Sequence, residues 1–215
     1  FDATDAKSVT GTIAEAAGGD TTEIKVINSA NSEAPSVVTF TGTVAADTLT
    51  IGTTTYGGAA LFEEAVTTPT INVVGGDHAD EDSTVTFNKA VTASSGITLN
   101  DQTGDAKVIF AANNSVTITG TIDGASSDEG TIQVTGATKT FASVIGGTED
   151  LTLIDIDNTS TFNEAISATN INVADSITAT AKKAITATAI VLDGGTLVLS
   201  DNNSVTIAGT INGSN

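Results

Sequence analysis

Two loops concentrate the side chains best suited to chemistry. Gly75-Gly76-Asp77-His78-Ala79-Asp80-Glu81-Asp82-Ser83 gathers four carboxylates and the only histidine of the chain, and Asp123-Gly124-Ala125-Ser126-Ser127-Asp128-Glu129-Gly130 gathers three more carboxylates. Hard oxygen donors on a turn suit Ca²⁺, which takes six to eight of them. Asp77, Asp80, Glu81, Asp82, Asp123, Asp128 and Glu129 are therefore the candidate calcium ligands. The first loop partly matches the Gly-Gly-x-Gly-x-Asp calcium nonapeptide, but His78 replaces its next glycine and no tandem copies follow; the second lacks EF-hand spacing. A solvated charged turn is the simpler reading of both.

Other chemistries find little support. His78 sits among acids rather than beside a serine, as a Ser-His-Asp triad would need. Seven lysines and no arginine leave a polyanion lyase without its usual cationic base and clamp. A glycosidase needs only two well-spaced carboxylates, which 26 acidic residues satisfy by chance, so a polysaccharide-acting enzyme ranks third among the functions considered. One Tyr and no Trp exclude an aromatic platform for sugars or bases. No catalytic residue is assigned, and the chain reads as a non-enzyme.

A formal net charge of −19 argues against binding nucleic acid, which requires a basic face, and against anionic membrane surfaces. No apolar run approaches the length of a membrane span. Without cysteine there is neither a disulfide framework nor a thiolate metal site. The chain opens at Phe1 with no initiator methionine and no signal-peptide pattern, so a processed or excised chain is expected.

What must hold the loops is a repeat. Phe162-Asn163-Glu164-Ala165-Ile166 is echoed by Phe62-Glu63-Glu64-Ala65-Val66 and Phe87-Asn88-Lys89-Ala90-Val91, each followed by an alternating apolar pair. Looser copies start at Phe40, Phe141 and Ala181. A second block recurs at Ser8, Ser115 and Ser204 as Ser-Val-Thr followed by Gly-Thr-Ile. Taking Phe40, Phe62, Phe87, Phe110, Phe141, Phe162, Ala181 and Leu199 as one position gives spacings of 18 to 31 residues, about 23 on average. Position −2 of this series (Val38, Ala60, Val85, Val108, Lys139, Ser160, Ala179, Leu197) is mostly apolar, so both positions should face inward from one short strand.

Three short strands per period cannot bury a face alone, but stacked in parallel register they can. The expectation is one all-β domain over residues 1–215, a parallel β-helix (β-solenoid) of about nine coils of roughly 20–25 residues. General crossover chirality makes it right-handed. At the inter-strand spacing of sheets it would be a rod about 40–45 Å long. Tandem sandwiches would explain the 100 residues between Phe62 and Phe162, but not the copy at Phe87 or the 89 residues between Ser115 and Ser204. The 40 threonines fit pleated strands. Thr-x-Thr pairs such as Thr10/Thr12, Thr84/Thr86 and Thr117/Thr119 raise the question of an ice-binding array, against which the wandering coil length argues.

The run Val-Thr-Ile-x-Gly-Thr-Ile-x-Gly, an acidic loop, and Gly-Thr-Ile-x-Val at 116–134, followed by Val144-Ile145-Gly146-Gly147 and Leu151-Thr152-Leu153-Ile154-Asp155-Ile156, resembles repeat passengers of rickettsial-type autotransporter outer-membrane antigens. Similar repeats occur in S-layer-like proteins. The resemblance is one of repeat style over most of the chain and carries no catalytic residue. It implies an extracellular structural protein on a bacterial cell surface, part of a surface layer, fibre or stalk that self-associates end to end or laterally. The alternative is an adhesin contacting host or neighbouring cells through its loops.

Overall fold

The structure is a computed structural model, and it describes residues 1–2, 4–14, 21–29, 34–200 and 205–214. The start of the third Ser block, at Ser204, lies outside the described residues. Every described element is a strand, and every pairing between strands is parallel. About eight turns stack as a β-solenoid, against the nine expected. Parallel pairing, which otherwise demands long crossovers, comes from the winding of the chain itself.

Each turn has three faces. The first runs Val9, Phe40, Phe62, Phe87, Phe110, Val134, Ile156, Val173, Leu192 and Gly213 in one register. The second runs Val44, Val66, Val91, Ile118, Phe141, Phe162, Ala181 and Leu199. The third carries Ile24, Leu49, Ile71, Ile97, Ile122, Ile145, Ile166, Ile185 and Ile207. Side chains alternate in and out along each strand, as in Ser83–Phe87, where Ser83, Val85 and Phe87 are buried and Thr84 and Thr86 are not. Between the two ends nearly every inward residue is fully buried, so like side chains form one column, while Val9, Leu192, Leu199, Ile207 and Gly213 at the ends are partly or largely exposed.

One part of the sequence alignment is corrected here. Phe110 pairs with Val134, not Phe141, and Phe141 continues the second face above Ile118. The eight aligned positions are therefore two columns. The reason is length: the 31 residues from Phe110 to Phe141 hold four strands, Val116–Thr119, Ile122–Gly124, Thr131–Val134 and Lys139–Phe141, and so wind one full turn plus one face. The ring stack nonetheless stays continuous. Phe40, Phe62, Phe87 and Phe110 stack at 4.7, 5.4 and 6.0 Å between centroids; Phe110 meets Phe141 edge-on at 5.3 Å and 80°, and Phe141 stacks on Phe162 at 5.0 Å. All of these lie in the favourable range for aromatic pairs.

Candidate functional site

Among the described residues the long acidic loops leave the third face and lead to the first, so they project from a single corner. Loops 75–82 and 125–130 belong to this corner, as do 52–58 and 101–105. Gly75 makes the close stacking possible, because a Cβ there would stand 1.8 Å from the Gly104 carbonyl oxygen.

In the first loop Glu81 is fully buried rather than displayed. Its Oε2 accepts a hydrogen bond from the His78 amide at 3.2 Å, while its own amide and carbonyl bond His78 O at 3.0 Å and Gly76 N at 2.8 Å. Glu81 thus closes its own turn. Asp77 and Asp80 are exposed, and Asp77 Oδ1 lies 3.7 Å from His78 Nε2. Asp82 Oδ1 instead accepts from the Asp105 amide at 2.8 Å, one coil on.

The second loop follows the same rule. Asp123 Oδ1 accepts from the amides of Gly147 and Thr148 at 2.7 and 3.0 Å. Asp128 holds a left-handed backbone (φ 64°), and its side chain and carbonyl accept from the hydroxyls of Thr169 and Thr152. Glu129 Oε2 accepts from Ser126 N at 3.2 Å. Asp101 is the clearest case: Oδ1 takes the Ala106 amide at 2.7 Å and Oδ2 the Gly130 amide at 2.8 Å, binding its own loop to the next. Asp82, Asp101 and Asp123 thus tie coil to coil through backbone amides, while Glu81 and Glu129 close their own turns.

The structure thus brings the two sequence-nominated loops onto one corner without converging their carboxylates. Among the described residues no three His, Cys, Asp or Glu side chains are grouped as a metal ion would need. Burial raises the Asp105 pKa, and nearby Asp82 and Asp101 raise it further.

Two other polar features went unnoticed in the sequence. On the outer side of the first face, Asp155, Asp157, Asn172 and Asp193 line a cleft of about 340 Å³ with Val173, Ala174 and Val191. Burial raises the Asp155 pKa, with Asp157 adding to it and Lys107 opposing, while Asp157 accepts from Gln133 Nε2 at 2.6 Å. Asp155 is thus biased toward its acid form, but the lining has no aromatic ring to hold a sugar and no cation to hold an anion. Inside the second face, Lys139 is fully buried. Its Nζ donates to Ala112 O at 2.8 Å, Thr135 O at 2.9 Å and Ala137 O, and burial lowers its pKa to about 8. Its place in the inward −2 series was legible, but its carbonyl cage was not.

No protein-family model, curated protein or solved structure matches the chain.

Proposed function

We propose that this chain is an extracellular structural protein, a β-solenoid building block of a bacterial surface layer, fibre or autotransporter-type stalk, with no catalytic role. The observation that carries this reading is how the polar chemistry is used. Asp82, Asp101 and Asp123 of the long loops bind backbone amides of neighbouring coils, and the buried Lys139 binds main-chain carbonyls, so these groups serve to keep rungs together. A largely apolar column running from coil to coil suits a load-bearing rod, since each coil contacts only its neighbours and stability accumulates along the axis. The repeat style supports the bacterial surface, and the net charge of −19 suits a crowded aqueous location. Surface labelling and protease shaving of intact cells, with electron microscopy of the purified protein, test the reading. Rods or sheets on the cell exterior are expected, and an exclusively internal protein would refute it.

The adhesin reading is favoured by one feature, the gathering of the acidic loops on a single corner, where a partner could touch several coils at once. Shortening loops 75–82 and 125–130 would then abolish adhesion and leave assembly intact.

A further inference from the structure

The second face carries, on its outer side, an ordered threonine array that chain spacing conceals. Outward residues in register run Thr117, Thr140, Thr161, Thr180 and Val198. Two residues earlier in each strand or its approach stand Ser115, Thr138, Thr159, Thr178 and Thr196, with Thr178 paired to Thr196 and ladder bonds from Val116 N to Thr138 O and Lys139 N to Thr159 O. Eight of these ten positions are threonine. On the first face of the same five coils, the matching outward pairs are Lys107/Ile109, Thr131/Gln133, Leu153/Asp155, Asn170/Asn172 and Ala189/Val191, with one threonine among ten. Strand propensity acts equally on both faces and cannot explain that contrast.

We propose that this face binds the surface of an ice crystal. Coils repeat about every 4.8 Å and alternate residues along a strand about every 6.6 Å, so the array is a two-dimensional grid. Oxygen atoms on the faces of hexagonal ice also repeat on a two-dimensional grid of a few ångströms. Each threonine offers a hydroxyl beside a methyl, and its branched Cβ restricts χ1, so the grid is set before contact and little rotamer entropy is lost on binding. Among the described residues, the hydroxyls of Thr138, Thr140, Thr159, Thr161, Thr178, Thr180 and Thr196 make no intramolecular hydrogen bond, leaving all seven for water. No charged residue interrupts either column, in a chain whose 26 acids lie elsewhere. The wandering coil length is no obstacle, because the length variation falls at the corners while the ladder holds register.

A crystalline polysaccharide would call for aromatic rings, which the array lacks, and a second copy of the same neutral face would bring no charge complementarity. The test is partition of the purified full chain into slowly grown ice, with three proteins compared: the wild type, Thr140→Lys/Thr161→Lys, and Thr131→Lys on the first face. The wild type and Thr131→Lys should be enriched in the ice several-fold over a non-binding control protein. The double variant should fall to the control level with an unchanged circular-dichroism melt. Wild-type partition equal to the control, or partition that survives the double variant, overturns the proposal. So does retention on cellulose or chitin, or a concentration-dependent dimer, if either is lost in the double variant, since the face would then belong to a polysaccharide or to a second copy.

Discussion

Phe62-Glu63-Glu64-Ala65-Val66 and Phe162-Asn163-Glu164-Ala165-Ile166 are nearly the same words, yet they turn different corners. The first passes from the first face to the second; the other passes from the second face to the third. The local geometry is conserved all the same. Glu63 N donates to Phe40 O at 2.9 Å, and Asn163 N donates to Phe141 O at 3.0 Å, in each case one coil back. A five-residue motif thus specifies a corner, and the residues before it decide which one. The same contrast separates two halves of the rod. The earlier coils put Phe on the first face and carry long acidic loops. The later coils put Phe on the second, and Ile166–Val173 and Ile185–Asp193 run from third face to first without a break.

The rings give the largest expected effects. Phe87 is stacked on both sides, by Phe62 and Phe110, whereas Phe162 has a ring on one side and Ala181 on the other. Phe87→Ala should cost about 4–5 kcal/mol and Phe162→Ala about 3 kcal/mol in urea unfolding. A double-mutant cycle at Phe110 and Phe141 should give about 0.5–1.5 kcal/mol of coupling across the change of face. Zero coupling would make the stack two independent ladders.

Next comes the loop corner. Gly75→Ala would press a methyl against the Gly104 carbonyl and should cost more than about 2 kcal/mol. Gly213→Ala, with nothing within 4 Å, should be nearly neutral by the same melt. Equal effects would show that the loop stack yields freely.

Lys139 lies in the turn of chain where the rings change face. Lys139→Met keeps the length but removes the donor to Thr135 O and Ala137 O, and should cost about 1–3 kcal/mol. The pH dependence has a definite sign. Folding lowers this pKa to about 8 from 10.5, so between those values the unfolded chain binds more protons and stability rises with pH. Below pH 8 both states carry the charge and the contribution is flat. The wild type should therefore gain on Lys139→Met as pH rises through that window in parallel denaturant titrations. A difference independent of pH would show that burial does not perturb the amine.

Much of this was legible in the sequence, for physical reasons. Period-two alternation and recurring Phe-x-x-x-Val/Ile named the solenoid and its inward residues, because burial dictates both. What failed was azimuth. Phe110 and Phe141 look equivalent by type, and only the strands between them reveal the extra face. The threonine array was missed for the same reason: pairs such as Thr84/Thr86 are visible in the chain, but which pairs share a ladder is not. Glu81 looked like its neighbours Asp80 and Asp82, since composition cannot tell a carboxylate folded into its turn from one in solvent. Lys139 shows the reverse, a charged residue in an inward series whose partners are main-chain carbonyls that no side-chain pattern encodes.

The smallest effect concerns the outer side of the first face. The column that reads Thr39, Leu61, Thr86 and Ile109 in the earlier coils becomes Asp155 later, beside Asp157. Burial and Asp157 raise the Asp155 pKa above its unfolded value, so its charge opposes folding at neutral pH, and this cost disappears as pH falls through the raised pKa. Asp155→Asn should therefore stabilise at pH 7, by less than about 1 kcal/mol because the group is largely solvated. The gain should shrink in acid, where the wild type is protonated. Denaturant titrations at both pH values check this, with Thr86→Asn in the earlier coils as the neutral comparison. If Asp155→Asn instead destabilises at neutral pH, attraction to Lys107 outweighs repulsion by Asp157, and the later coils hold their acids on this face by ion pairing, as the loop corner holds its acids by amides.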